Sequence, residues 1–172
     1  GKINNFDTSL FAPLMQCLQK LTNKTYFGDD EIFDRLDLQE AEMIKIKNIQ
    51  ASFRVIADHA RSVAFLLAQG VNFDKEGRGY VLRRILRRAV RHGYLLGLKK
   101  PFLWQVVEVV CESMGVHYSY LQERKRAIKE QCKNEEERFF ETIESEMTLF
   151  SKELEKLQSA VKTQKQEILF SG

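Results

Sequence analysis

The sequence predicts an all-α protein, a helical bundle with a long C-terminal helix. Its 172 residues include only two prolines, and Asn-Gly or Pro-Gly turns that would join strands are few. Long stretches of Glu, Lys, Arg, Gln and Leu favour helix. Apolar residues also recur at spacings of three and four, as on one face of a helix. With 44% hydrophobic and 30% charged residues, the chain is expected to be soluble and globular, with one or two domains.

The N-terminal half contains two predicted helices separated by an acidic segment. The first covers residues 9–22, where leucines and a phenylalanine form one stripe. Residues 29–42 carry seven carboxylates and are either a surface insertion or a short helix. The second helix covers residues 49–69 and ends at Gly70, a residue typical of helix C-termini. Its apolar face is formed by Phe53, Ile56, Ala57, Ala60, Val63, Ala64 and Leu67.

Three further helical segments follow. The first covers residues 79–96, and the second begins at Pro101, since proline is tolerated in a first turn, and ends near Gly115. From Tyr118 to about Lys162 the pattern stays helical. A heptad seam there contains Phe140, Ile143, Met147, Phe150, Leu154, Leu157 and Val161. Three heptads are few, so packing against the body is favoured over a self-standing coiled coil.

We expect one domain, residues 1–172, belonging to a longer protein. Within it, residues 1–48 form an N-terminal helix and a variable acidic segment. Residues 49–115 form the core helices, and residues 116–172 form a long helical arm.

Positive charge is concentrated in one helix, the segment GRGYVLRRILRRAVRHG at residues 77–93. It holds six arginines and no acidic residue, although the whole chain has a net charge of only +3. Between Glu76 and Glu108 lie eight basic residues; without them, the chain has 19 basic residues against its 24 acidic ones. Such a local asymmetry is typical of a surface that binds a polyanion.

The arginines share one face of the predicted helix. At about 100° per residue, five of them fall within an arc of about 140°. The remaining arc, expected to face the core, contains Val81, Leu82, Ile85, Leu86, Ala89 and Val90. Two explanations stay open: the arginines bind phosphates, which a guanidinium fork contacts with two hydrogen bonds, or they pair with acids such as Asp58 or those of residues 29–42. His92 lies beside this face of arginines, which we call the arginine strip, and would add positive charge at low pH.

Several function classes are excluded by the residues that are missing. There is no paired Cys or His spacing for zinc, no glycine-rich phosphate loop and no nucleophile triad. Three widely spaced cysteines indicate a reducing, cytoplasmic compartment, and no apolar run approaches the length of a membrane span. A lone His59 on a helix is more typical of a structural residue. We therefore predict binding rather than catalysis, with no catalytic residue and no metal ligand.

The segment RVIADHARSVAFLLAQGV, followed by the arginine helix, resembles the alanyl-tRNA synthetase family, in the helical part after its catalytic core. GKINNFDTSLF at the N-terminus resembles the stretch after the third class II motif of that family, and NEEERFFETIE resembles a later helix. The resemblance covers nearly the whole chain; residues 29–48 fit least.

The resemblance implies that this region binds the acceptor stem of the alanine tRNA, marked by a G·U pair at the third position. Arginines would contact phosphates while the preceding loop reads base edges from the minor groove. The candidate tRNA-binding residues are Asp74, Lys75, Arg78, Arg83, Arg84, Arg87, Arg88, Arg91, Lys99 and Lys100.

The loop departs from the family's pattern. The family's Asn that helps to read the G·U pair corresponds to Lys75 here, and lysine donates hydrogen bonds but cannot accept them. Asp74 or the backbone is left to accept the guanine amino group. A second reader, an Asp in a Tyr-Asp-Thr-Tyr-Gly element, would lie just past Gly172.

The resemblance also implies that the parent protein is a ligase that uses ATP with magnesium and carries zinc in an editing domain. This fragment would hold none of these cofactors, would be inactive alone, and would be a monomer unless its heptad seam self-associates. Two alternatives remain: a helical module for another RNA duplex, and a helical protein-interaction module.

Overall fold

The computed structural model describes residues 5–35 and 37–171. A short 3-10 turn at Asn5–Asp7 is followed by helices α1 (Ala12–Thr22), α2 (Asp29–Phe33), α3 (Glu40–Ala68), α4 (Gly77–Leu95), α5 (Leu103–Met114), α6 (Ser119–Glu123), α7 (Lys125–Phe140) and α8 (Ile143–Phe170). These residues contain no strand. The predicted all-α bundle with a long C-terminal helix is confirmed.

The helix ends differ from the prediction where the sequence offers no stop signal. Helix α3 begins at Glu40 rather than at residue 49, so it includes the end of the acidic segment, whose start forms the short helix α2. The predicted helical stretch after Tyr118 consists of three helices and reaches Phe170. Its second break lies at Glu141–Thr142, where Thr142 leaves the helical conformation and donates its N–H to the Phe139 carbonyl. This turn brings Ile143 onto the body, where its side chain is buried.

The core lies around α3, which packs against α4 and α5, while α5 packs against α7. Side chains such as Phe53, Leu82 and Leu103 are completely buried. Each contributes about 1.5–3 kcal/mol by leaving water. Val81, predicted to face this core, does not: it is 52% exposed, because it lies at the edge of the apolar arc beside Arg88.

The heptad seam of α8 is buried only in its first half. Ile143 and Met147 are buried and Phe150 is half-buried against the ring of His92, with centroids 5.8 Å apart. Farther along, Leu157 and Val161 are 64% and 50% exposed. Packing against the body therefore accounts for the apolar residues of the seam as far as Phe150, but not for Leu157 and Val161. Among the residues described, no helix has the length and apolar composition to span a membrane.

A buried carboxylate joins α7 to the start of α5. Glu136 on α7 accepts the backbone N–H groups of Phe102, Leu103 and Trp104 at 2.8, 2.9 and 2.7 Å. These donors belong to the first turn of α5 and have no partner within that helix. Burial raises the pKa of Glu136 to about 7, although the three N–H groups oppose this shift. Glu136 thus caps α5 from a distant part of the chain.

Candidate nucleic-acid interface

Helix α4 presents an open face to solvent. Arg84 and Arg88 lie one turn apart on it and are exposed, together with Tyr80 and Val81. The Arg84 guanidinium carbon lies 5.9 Å from the centroid of the Tyr80 ring. We call Arg84, Arg88 and Arg78 the exposed arginines.

The other three arginines, Arg83, Arg87 and Arg91, face α7 and α8; we call them the paired arginines. Arg83 Nε donates to Glu135 Oε1 at 2.7 Å, and Arg91 Nη2 donates to Glu146 Oε2 at 2.6 Å. Arg87 Nη1 lies 3.7 Å from Glu146 Oε1. Two carboxylates of the helical arm therefore lie against three of the six arginines of α4.

These partner acids are not the ones that the sequence suggested. Asp58 lies 3.3 Å from Arg61, on its own helix, and Asp29 from the acidic segment lies 2.9 Å from Arg54. The pairs with α4 join residues 52 and 55 positions apart along the chain, which no local pattern encodes. The signal available was the acid-rich stretch from Asn134 to Glu146, the natural complement of an acid-free helix.

The paired arginines hold the arm against the body. The Glu135 side chain is only 5% exposed, and the Arg87 and Arg91 guanidinium carbons lie 5.1 and 5.4 Å from the centroid of the buried Phe139 ring. A phosphate at these arginines would compete with the carboxylates for their charge. Removing one member of such a pair leaves an uncompensated charge with little access to water, which is costly.

The loop before α4 is fixed by close backbone packing. Gly77 has a φ of +64°, a left-handed conformation that favours glycine. A Cβ on Gly79 would lie 2.2 Å from the Asn72 carbonyl oxygen, so the loop passes directly over the first turn of α4. The Asn72 side-chain oxygen also accepts Gln131 Nε2 at 3.2 Å, which ties the loop to α7.

Both candidate reading residues of this loop are exposed. Asp74 Oδ1 accepts the backbone N–H of Lys75 at 2.6 Å. Next to them, Arg78 Nη2 donates to Gln69 Oε1 at 3.1 Å. The structure thus brings Asp74, Lys75 and Arg78 together at the N-terminal end of α4. Gln69, which positions Arg78, was not among the predicted residues.

Lys99 and Lys100 lie at the opposite end of α4, about 28 Å away at about 1.5 Å per residue. Lys99 Nζ donates to the Tyr94 carbonyl at 3.1 Å and lies 3.3 Å from the centroid of the Tyr94 ring, whereas Lys100 is exposed. The structure does not bring these lysines together with the loop.

The histidine beside the strip adds no charge near neutral pH. His92 Nδ1 lies 3.1 Å from Ser52 Oγ. Burial, and then the charge of Arg88, lowers the pKa of His92 to about 4. The same two causes lower the pKa of His59. Within residues 5–35 and 37–171, no three His, Cys, Asp or Glu side chains are grouped to hold a metal ion.

Comparison with known proteins assigns this architecture to a family. The family model described as "tRNA synthetases class II (A)" matches residues 1–171. The chain belongs to the class II (A) tRNA synthetases. The match includes residues 29–48, where the weakest resemblance was expected, and it confirms the resemblance carried by the arginine helix and its neighbours.

The most similar members of this synthetase family include three alanine–tRNA ligases. The chain is 98% identical to that of Helicobacter hepaticus over 172 residues, all of this chain and 19% of that protein. It is 57% identical to that of Wolinella succinogenes over 159 residues, 92% of this chain and 16% of the relative. It is 54% identical to the alanine–tRNA ligase of Helicobacter pylori over 156 residues, which are 91% of this chain and 16% of that protein. The chain therefore spans about a fifth or less of these relatives.

Proposed function

We propose that this chain is the segment of an alanine–tRNA ligase that binds the acceptor stem of the alanine tRNA. The relatives' names supply the tRNA and the amino acid. The observation that carries the proposal is the exposed face of α4, where Arg84 and Arg88 lie on a helix without acidic residues that follows a fixed loop.

The exposed arginines suit phosphate contact. Arginine stays charged at any physiological pH and binds two phosphate oxygens at once. Arg84 and Arg88, at i and i+4, point to the same side of α4, so both reach the backbone of one duplex. Arg83, Arg87 and Arg91 remain candidates with a smaller net contribution, because a phosphate would compete with the carboxylates that already face them.

The loop is proposed to approach the third base pair from the minor groove. That groove of an RNA duplex is shallow and open to side chains. Lys75 has no acceptor for the guanine amino group, and one oxygen of Asp74 already accepts the Lys75 N–H. Binding would rest mainly on phosphates, which position the RNA without reading its sequence.

A titration with two acceptor-stem hairpins tests this proposal. We expect the chain to bind hairpins with G·U or G·C at the third pair. Its affinities for the two should differ by less than about tenfold, which is less discrimination than a good base contact provides. Lys75→Asn should raise this ratio more than it changes overall affinity, because a charge is lost and an acceptor is gained. Asp74→Ala tests whether the carboxylate accepts the amino group.

Two outcomes would contradict these expectations. No binding to either hairpin would refute the acceptor stem as the ligand. A ratio above tenfold that neither Lys75→Asn nor Asp74→Ala alters would remove the loop as the reader. An unrelated RNA duplex bound as tightly as the alanine hairpins would favour a module for another target.

The remaining chemistry is proposed to belong to other parts of the longer protein. Activation of alanine with ATP and magnesium, and editing with zinc, would lie outside residues 1–172, and this chain alone would hold no cofactor and be inactive. We further propose that residues 1–172 act as one domain in the cytoplasm, without contact to a membrane.

One observation favours a second candidate, a protein-interaction role. Leu157, Val161 and Ile168 lie on the outer half of α8 and are 50–70% exposed. Sedimentation velocity decides between the two roles: an RNA-binding segment is expected to stay monomeric, whereas an interaction module would form a concentration-dependent dimer that Leu157→Glu abolishes.

A further inference from the structure

An aromatic cluster lies at the surface near the C-terminal end of α3; it comprises Phe65, Tyr118 and Tyr120. The Phe65 ring centroid is 5.1 Å from that of Tyr118 and 6.2 Å from that of Tyr120, and the two tyrosines are 6.0 Å apart. Tyr118 is 46% exposed and Tyr120 is 37% exposed. Leu121, the residue after Tyr120, is completely buried in the core, whereas the two tyrosines are not.

Two exposed arginines are held at the C-terminal end of α3, the end that carries Phe65. Arg124 follows α6 and donates Nη1 to the Ala68 carbonyl at 2.8 Å, at the end of α3. Arg78 donates to Gln69, which lies one turn after Phe65 and donates its backbone N–H to the Phe65 carbonyl at 3.0 Å. Both guanidinium groups keep further N–H donors for a ligand. Of the acids nearby, Glu112 lies 3.4 Å from the Lys125 ammonium.

We propose that the aromatic cluster is a stacking site for unpaired nucleotides that adjoin the duplex bound on α4. The proposal rests on the proposed function. Bases that leave a duplex stack on aromatic side chains, while arginines contact their phosphates. Partly exposed tyrosines, with two arginines held at the same end of α3, match this combination.

The position of the cluster supports a continuous path for one RNA molecule. Arg78 belongs to the end of α4 that carries the loop, and its contact with Gln69 links that end to the helix surface above Phe65. The cluster is therefore separated from the loop by about one or two helical turns of about 5.4 Å each. A single strand that leaves the end of the duplex, two base pairs beyond the pair at the loop, would need only a few nucleotides to reach the tyrosines.

The test compares RNA hairpins with and without a single-stranded tail, using the full 172-residue chain. We expect a four-nucleotide 3′ tail on the alanine acceptor hairpin to raise affinity roughly tenfold over the blunt hairpin, as one well-stacked base does. Tyr118→Ala with Tyr120→Ala should remove this gain and leave blunt-hairpin affinity unchanged. Tyr118→Phe with Tyr120→Phe, the matched control, should keep it.

A second measurement does not depend on the folding of a variant. A tail that carries 2-aminopurine should lose fluorescence on binding to the unmodified chain, because stacking quenches this base. A blunt hairpin that binds while the tail adds no affinity and no quenching would overturn the stacking site and leave the proposed function intact. Binding of neither hairpin would refute both. A dimer in sedimentation that Tyr118→Ala dissociates would assign the cluster to protein contact instead.

Discussion

Replacing Arg84 and Arg88 together by Gln is expected to weaken binding of the alanine acceptor hairpin by roughly ten- to fiftyfold at 0.1 M salt. Each arginine that contacts a phosphate releases counterions and adds roughly 0.7–0.9 to the slope of log affinity against log salt. The double variant should therefore flatten the slope by roughly 1.5. Hairpins with G·U and G·C should lose affinity alike, since phosphates carry no sequence information. Fluorescence anisotropy at several salt concentrations measures both quantities.

The matched control is Arg83→Gln with Arg91→Gln, which removes the same charge from the same helix. These side chains are paired with Glu135 and Glu146, so the expected loss is in stability, about 1–3 kcal/mol in urea unfolding. The slope of log affinity against log salt should change less than in the variant that lacks Arg84 and Arg88. If the paired variant flattened the slope as much while its stability stayed unchanged, the division of the strip into exposed and paired arginines would be wrong.

Opposite pH dependences of stability are expected from Glu136 and His92. Burial raises the pKa of Glu136 to about 7, from 4.5 for an ordinary carboxyl, so the folded state keeps a proton that the unfolded state has lost. Glu136 therefore lowers the free energy of unfolding as pH rises from about 4.5 to 7, by roughly 3 kcal/mol. His92 acts in the opposite direction. With a pKa of about 4 against 6.5 when unfolded, it raises stability as pH increases from about 4 to 6.5.

Two variants separate these contributions. Glu136→Gln removes the titration, so its stability should increase more steeply with pH than that of the unmodified chain. Its amide keeps one acceptor oxygen for the Phe102 and Leu103 N–H groups and loses the oxygen that accepts the Trp104 N–H. His92→Asn should do the reverse, with stability that falls between pH 5 and 7. Urea unfolding followed by circular dichroism at pH 5, 6 and 7 compares the slopes. Slopes equal to that of the unmodified chain in both variants would show that neither side chain carries a shifted pKa.

The sequence predicted those parts of the fold that depend on local pattern. The apolar arc of α4, with Leu82, Leu86 and Ala89, is buried as its periodicity required. The helix ends that carry a glycine signal, near Gly70 and Gly97, agree closely. The break at Glu141–Thr142 had no such signal, because every residue around it is compatible with helix and only packing of Ile143 requires the turn.

The candidate site was predicted less completely, because charge pairing depends on tertiary contacts. The strip of arginines is visible in the sequence, yet its division depends on where Glu135 and Glu146 arrive from the arm. Composition could not distinguish the buried Glu136 from its exposed neighbour Glu137 in the same acidic run. The aromatic cluster joins Phe65 to residues more than fifty positions later, which helical periodicity does not relate.

Arginine side-chain NMR tests most directly whether the open face of α4 binds the acceptor stem. At 20.1 kDa the chain suits observation of each arginine Nε–Hε signal as the alanine acceptor hairpin is added. The signals of Arg84, Arg88 and Arg78 are expected to shift on binding, while those of Arg83 and Arg91 keep their positions because their carboxylate partners remain. Shifts confined to arginines outside α4, or no shift at hairpin concentrations that saturate a phosphate contact, would contradict the proposed interface.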